Sequence, residues 1–291
     1  MSRKTWRPVG LPKEVRNGLD RVSARLSSFK TPDFINSELF APSTYLLGRN
    51  GKLMRPTLVL MGAYAIGANP ANFVDLAVAS ELLHTSSLIH DDIIDEDITR
   101  RGSQSVHEKY GNKVALLAGD ALISKAVSLA SKYGDDVLRS MTRASLDMCA
   151  GEVVDYKFQS ADSVPSLSQY LKIAFLKSAS LIGACLNAAA VHDRSPSASK
   201  LYSVGTDLGI AFQIRDDIID YDAWAKSARR DRLIPNIVSS LESQYGISRG
   251  NALLKAIAMN RRYVKRASGR MGDGPAERLL KEYANLIALG I

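Results

Sequence analysis

From about residue 14 to the end, apolar positions return every three or four residues, the period of helices with one buried stripe. No run alternates convincingly at period two, and no Asn-Gly or Asp-Gly pair joins β-branched segments, so a sheet is not expected. Breakers divide the pattern. Pro42, Arg49-Asn50-Gly51 and Pro56 surround one helix start, and Gly67 to Pro70 closes that helix. Gly102 and Gly111 flank a short connection, while Gly134-Asp135, Pro165, Pro196 and Pro235 end or begin other helices. No long Ser/Gly/Pro linker separates two halves. The pattern therefore predicts one all-α domain over residues 1–291.

Composition narrows this little. The 291 residues are 46% hydrophobic, ample for a sizeable core, and a 23% charged fraction argues against wholesale disorder. Aromatics at 7% favour helices over a sandwich or barrel. A net charge of +8 suits nucleic acid, a membrane surface or phosphorylated small molecules and does not choose among them. Arg261, Arg262, Lys265 and Arg266 form the densest basic run. Its plainer reading is a solvated helix face, so no nucleic-acid partner is expected. Cys149 and Cys185 belong to no Cys-x-x-Cys or Cys/His cluster and read as buried small hydrophobes in a reducing compartment, which points to the cytoplasm. Residues 1–10 are polar and lack an apolar core, so no signal peptide is expected. The longest apolar stretch, Leu181 to Val191, is interrupted by Asn187 and falls short of the roughly 20 residues of a membrane span, so no integral membrane segment is expected.

Chemistry enters with an internal similarity. Residues 91–97 read Asp-Asp-Ile-Ile-Asp-Glu-Asp, and residues 216–222 read Asp-Asp-Ile-Ile-Asp-Tyr-Asp. A separation this long and isolated is not a solenoid repeat; it looks like two copies of one site element. On a helix, Asp91 and Asp95 stack one turn apart with Asp92 beside them, and His84 and Leu88 extend the stripe. Asp216, Asp217 and Asp220 repeat the arrangement, with Gln213 one turn upstream. Clustered carboxylates repel and need a cation. Oxygen ligands on one face suit magnesium, which keeps waters and is completed by substrate phosphates. A solvated acidic face would not carry Ile-Ile between its acids in both copies.

Basic residues complete the picture. Lys52 and Arg55 sit in Gly51-Lys52-Leu53-Met54-Arg55-Pro56, Arg100 and Arg101 follow the first acidic cluster, and Lys177 lies among apolar and small neighbours. Guanidinium and ammonium groups are natural partners for diphosphate oxygens. Any one alone would read as a surface charge on a snorkelling stem, Lys177 least easily.

In order along the chain, these residues resemble the trans-type polyprenyl diphosphate synthases, which make geranyl, farnesyl, geranylgeranyl and longer diphosphates. The likeness runs from about residue 47 to 238. It takes in the Lys52/Arg55 segment, His84 to Asp95, Arg100-Arg101-Gly102, Gly119-Asp120-x-Leu122, Gly151-Glu152, Lys177-Ser178-Ala179 and Phe212 to Asp220. It implies an all-α fold of the isoprenoid-synthase type, a helical bundle around a central cavity, usually a homodimer. It implies that Lys52, Arg55, His84 and Arg101 hold isopentenyl diphosphate, and that Arg100, Lys177, Ser178 and Gln213 serve the allylic diphosphate. Asp91, Asp92, Asp95, Asp216, Asp217 and Asp220 would flank a trinuclear magnesium cluster. The catalytic set expected is Asp91, Asp92, Asp95, Lys177, Gln213 and Asp216. Magnesium and cations would stabilise the departing diphosphate, an apolar cavity would protect the carbocation, and no side-chain nucleophile is needed.

Three departures stand out. Asn50 replaces one of two glycines, and Ser178 replaces a threonine while keeping the hydroxyl. After the second cluster the stretch 221–235 is short and lacks glycine, so Lys226, or one of Arg229, Arg230 and Arg232, would replace the family's diphosphate lysine. The competing readings are a terpene cyclase, opposed by the intact second aspartate cluster, and a non-catalytic subunit of a heteromeric synthase, favoured only by the short stretch. Short-chain members commonly carry an aromatic four or five positions before the first Asp. These positions are Ser87 and Ser86, with Leu83, Leu82, Ser80 and Ala79 further down. The expected product is therefore longer than farnesyl diphosphate, with geranylgeranyl diphosphate the best single choice.

Overall fold

The computed structural model describes residues 10–47, 49, 51–226 and 236–289, without the side chains of 222–226 and 287–289. The chain forms two compact units. One contains the described residues up to Thr142 together with Ala188–Pro196, and the other Arg143–Asn187 together with the residues from Ser197 onward.

The first unit holds α1 (Lys13–Ser27), α2 (Ser37–Thr44), α3 (Met54–Ala65), α4 (Val74–Ile94), α5 (Val106–Tyr110) and α6 (Asn112–Ala130). Asn36 caps α2 by accepting the Leu39 amide at 2.9 Å, and Asn69 does the same for a short 3-10 turn that leads into α4. Helix α4 packs along α6 and α3, and from Leu76 to Leu83 every residue is buried. That explains its unbroken apolar run, in which only Glu81 is charged. Leu58, Leu60, Met61, Leu76, Leu82, Ile89 and Leu122 are fully buried.

One β element departs from the purely helical expectation. Thr99–Arg100 pairs antiparallel with Ser103–Gln104 across a two-residue turn, Arg101-Gly102. Both turn residues have positive φ, 52° and 74°, the conformation of a tight hairpin turn. Arginine is a poor signal for that conformation, and the strands are too short to alternate.

In the second unit α7 (Asp135–Ser160), whose first residues belong to the first unit, leads to α8 (Leu167–Ala174), a π-helical turn (Phe175–Ala179) and α9 (Ser180–His192), which ends in the first unit. Then come α10 (Ala198–Lys226), α11 (Ile237–Tyr245), α12 (Arg249–Arg270) and α13 (Pro275–Leu289). Ser166 and Gln169 form a capping box at α8, and Gly246 closes α11 in the left-handed conformation, φ 59°. Helix α10 packs on α12, α13 and the π turn. An apolar core joins Ala179, Ile210, Ile214, Ile237, Leu241 and Ala256.

Cys185 is buried, but Cys149 is exposed on α7, which corrects the expectation of two buried thiols. The buried stripe of α7 runs through Met141, Ala144 and Met148, and Cys149 lies one position off it. By length and composition two stretches would suffice to cross a membrane, Asn112–Tyr133 and Leu167–His192. The second is 83% buried within the protein, as core helices that meet the same test are.

Candidate active site

In the first unit the acidic cluster closes α4. Asp91 is half-buried on the last turn and Asp95 is exposed just past it, its amide bonded to the Asp91 carbonyl at 2.8 Å. Asp92 is fully buried. Arg100 reaches back from the β ribbon to bind Asp92 Oδ1 through Nη2 at 2.5 Å and Nε at 2.6 Å, and it also meets Asp97 at 2.7 Å. Burial raises the Asp92 pKa despite that partner, and the same carboxylate holds the Arg100 pKa up against its own desolvation. Arg100, expected on the allylic diphosphate, is thus engaged by carboxylates of its own unit.

Beside this lies a second electrostatic group. Arg101, held out by the strained turn, donates to the Leu46 carbonyl at 3.0 Å and approaches buried Glu81 at 3.4 Å. Gly51 allows this placement, because a Cβ there would come within 3.2 Å of the Arg101 guanidinium. Arg55 is buried in the first turn of α3, which follows Leu53 in the left-handed conformation at φ 47°. Burial raises the Glu81 pKa, and Arg101 and Arg55 pull it back. One turn on, burial first, and then Arg55, Arg101 and Arg100, push the His84 pKa well below its usual value, so the imidazole is neutral. Arg55, Arg101, Glu81 and His84 therefore share one neighbourhood. Lys52 is exposed in the preceding loop and makes no ion pair among the described residues.

In the second unit the π turn carries Lys177. Its Nζ lies 2.5 Å from Asp155 and 2.9 Å from Glu152 on α7. Gly151 lets the two segments approach, since a Cβ there would meet the Lys177 backbone nitrogen at 2.8 Å. Burial alone would lower the lysine pKa; the two carboxylates outweigh it and hold it above normal. A π turn is a frequent mark of a functional position within a helix. Ser178 donates to Gln213 Oε1 at 2.6 Å, Gln213 Nε2 donates to Asp217 Oδ1 at 2.7 Å, and Asp217 Oδ2 accepts the Ile237 amide at 3.2 Å. Burial pushes the Asp217 pKa up to about 6, although those hydrogen bonds oppose it. A cavity of about 60 Å³, space for several waters, is bordered by Asp155, Tyr170, Lys177, Gln213 and Asp217.

Both acidic motifs divide in the same way. The middle carboxylate, Asp92 or Asp217, is spent on internal partners. The last carboxylate, Asp95 or Asp220, is the exposed one in each motif, while Asp91, Asp216 and Asp217 are half-buried. Among the described residues no three His, Cys, Asp or Glu side chains gather closely enough to hold an ion unaided. The donor set nonetheless fits magnesium, which binds through one or two carboxylates plus waters and phosphates. Asp92 Oδ2 and Glu152 Oε1 are also buried oxygens lacking a hydrogen-bond partner among the described residues, acceptors that a hydrated cation or water would satisfy.

Sequence reading missed Glu81, Asp155 and Tyr170, and gave Glu152 no role. The signal for Glu81 was a lone acid within the buried stretch Leu76 to Leu83, and for Asp155 its helical spacing from Glu152. Tyr170 is buried beside Asp217; burial, and then nearby carboxylates, push its hydroxyl pKa well up. The side chain of Lys226, and Arg229, Arg230 and Arg232, lie outside the described residues. Ser86 is 2% exposed, so it packs into the core and does not line open space. The accessible stripe of α4 is His84, Ser87, Leu88 and Asp91, because residue 86 points about 140° away from residue 91 at 100° per residue.

Comparison with known proteins agrees with this geometry. The family model described as polyprenyl synthetase matches residues 36–231. The geranylgeranyl diphosphate synthase of Methanosarcina mazei is 34% identical over 221 residues, 73% of this chain and 68% of that protein. The short chain isoprenyl diphosphate synthase of Methanothermobacter thermautotrophicus is 36% identical over 65% of this chain, and the matched part spans 60% of that relative's length. Among solved structures, the geranylgeranyl pyrophosphate synthetase of Geoglobus acetivorans superposes with a TM-score of 0.83 at 24% identity, covering 95% of this chain and 99% of that one. A geranyltranstransferase from Methanosarcina mazei gives 0.77 at 26% identity, covering 97% and 99%.

Proposed function

Because the chain belongs to the polyprenyl synthetase family, we propose that it is a magnesium-dependent prenyltransferase that condenses isopentenyl diphosphate with an allylic diphosphate, geranylgeranyl diphosphate being the product. The observation that carries the reading is the pairing of each acidic motif with its own cation group: Arg55 and Arg101 around Glu81 and neutral His84 in one unit, and Lys177 with the Ser178–Gln213–Asp217 chain in the other.

In this reading Arg55, Arg101 and Lys52 bind the diphosphate of isopentenyl diphosphate, with His84 as a neutral hydrogen-bonding group. Arg100 and Lys177 bind the allylic diphosphate after exchanging their present carboxylate partners for phosphate oxygens. Ser178 and Gln213 hold Asp217 in place, so α10 presents Asp216 and Asp220 in a fixed orientation. Asp91, Asp92, Asp95, Asp216, Asp217 and Asp220 would flank magnesium, which when bound neutralises charge growing on the leaving diphosphate. A homodimer accords with Leu116 and Leu117 on α6, which are more than half exposed. A cytoplasmic site accords with two cysteines that form no disulfide.

The test is direct. The purified chain receives magnesium, isopentenyl diphosphate and each allylic diphosphate in turn, and the products are identified. Activity should disappear with chelator and return with magnesium; full turnover in excess chelator, or no prenyl product from any allylic substrate, refutes the reading.

A further inference from the structure

The basic run on α12 takes no part in the proposed reaction. The helix carries seven cations, Arg249, Lys255, Arg261, Arg262, Lys265, Arg266 and Arg270, and no acidic residue. Its inner face, Ala252, Ala256, Asn260, Val264 and Ala267, is buried, and Asn260 anchors it by donating to the Ala211 carbonyl on α10 at 2.6 Å. Two of the cations are spent internally, Arg266 and Arg270 both pairing with buried Asp207 of α10. Lys255 lies over the Tyr245 ring at 3.3 Å, and Arg249 over Tyr221 at 5.3 Å.

The outward face differs in kind. Arg261, Arg262 and Lys265 are exposed and make no ion pair among the described residues. On the same side, one and two turns earlier, Leu254 is 67% exposed and Ile257 37% exposed, with exposed Ala258 beside them. Tyr245, 45% exposed at the end of α11, adds an aromatic ring with Lys255 upon it. Solvation explains the cations but not two bulky aliphatic side chains directed at water on the same face. From Leu254 to Lys265 the face runs roughly 16 Å along the helix axis, about three turns.

We infer that this face of α12 docks on an anionic lipid bilayer, with Leu254, Ile257 and Tyr245 entering the headgroup region and Arg261, Arg262 and Lys265 lying on lipid phosphates. A positive face that also carries exposed aliphatic and aromatic side chains joins the two attractions that hold a peripheral protein on an anionic bilayer, contact of cations with lipid phosphates and burial of apolar area. A nucleic acid would engage the cations but leave Leu254 and Ile257 facing phosphates with nothing gained. A second copy of the same face is disfavoured, because the two sets of cations would meet. The inference does not depend on the reaction proposed above, though a prenyl diphosphate is itself an amphiphile, and a bilayer would receive its tail.

The full-length chain is sedimented with vesicles of phosphatidylcholine alone and of phosphatidylcholine mixed with phosphatidylglycerol. The expected result is binding only to the anionic vesicles, weakening as salt is raised. The triple variant Arg261→Gln/Arg262→Gln/Lys265→Gln should bind far less, roughly fivefold for each charge removed. Leu254→Gln/Ile257→Gln should also lose binding. Both variants change exposed side chains and should keep wild-type turnover in solution, which serves as the control for folding. Equal or absent binding of wild type to both vesicle types overturns the inference. So does a Leu254/Ile257 variant that binds like wild type, and so does duplex DNA binding that competes vesicles away and depends on the cations alone.

Discussion

At the scale of single residues, Glu81 carries the most unexpected burden. It is a buried carboxylate beside buried Arg55 and half-buried Arg101, two cations that would otherwise repel each other. Its charge orients Arg101, which sits in a strained turn with one other hydrogen-bond acceptor. Glu81→Gln keeps the shape and removes the charge, so the fold should stand. The KM for isopentenyl diphosphate should rise roughly tenfold, as for loss of one charge-assisted interaction, with the allylic KM within about twofold of wild type. Equal changes in both constants would place Glu81 in general stability instead. His84 gives a second expectation. Its neutral form is favoured in the folded state, so as pH falls below the ordinary 6.5 the unfolded chain takes up the proton first, and stability declines in that window. NMR titration of the imidazole should show no midpoint near 6.5; a normal midpoint would mean that neither burial nor the arginines act on it.

At the scale of elements, the second unit depends on close backbone approach. Gly205 of α10 lies against Gly183 of α9, where a Cβ would come within 2.7 Å of the Gly183 Cα and 2.9 Å of the Ile182 carbonyl. These are backbone atoms and cannot yield cheaply. Gly205→Ala should therefore destabilise the protein by about 2 kcal/mol or more through overpacking. Gly18→Ala on α1 would meet only the flexible Leu60 side chain, at 2.9 Å, and should cost far less. Thermal melts of the two variants compare them directly, and equal melting temperatures would show that the α9–α10 seam has slack. The same seam shows where sequence reading stopped. Helical period, the breakers and both acidic motifs were legible because each is a local pattern. The Arg101-Gly102 turn was not, since its left-handed arginine is imposed by tertiary partners such as the Leu46 carbonyl. Nor was the π turn around Lys177, which depends on the close packing of Gly151. The internal use of Asp92 and Asp217 was equally hidden, because spacing places three carboxylates on a helix without saying which one turns inward.

At the scale of the whole molecule, the open question is how long a chain the enzyme builds. The reading of α4 from sequence placed Ser86 and Ser87 in the path of a growing chain and made Ser86→Phe the substitution that would shorten the product. The fold separates them. Ser86 is buried with Leu82, Leu83 and Ser80, whereas Ser87 is half-buried on the stripe of His84, Leu88 and Asp91 and donates to the His84 carbonyl at 2.9 Å. A ring at residue 87 would stand one turn below Asp91 on the accessible face. A ring at residue 86 would be forced into packed core at a cost of about 1–3 kcal/mol. Wild type should make a product longer than farnesyl diphosphate. Ser87→Phe should shift the products toward shorter chains while the melting temperature stays near wild type, and Ser86→Phe should lower the melting temperature with product length little changed. Product chromatography with melting curves on the three proteins decides it. If wild type stops at farnesyl diphosphate, or if Ser86→Phe shortens the product and Ser87→Phe does not, then the chain does not descend along this stripe and its length is set by another helix.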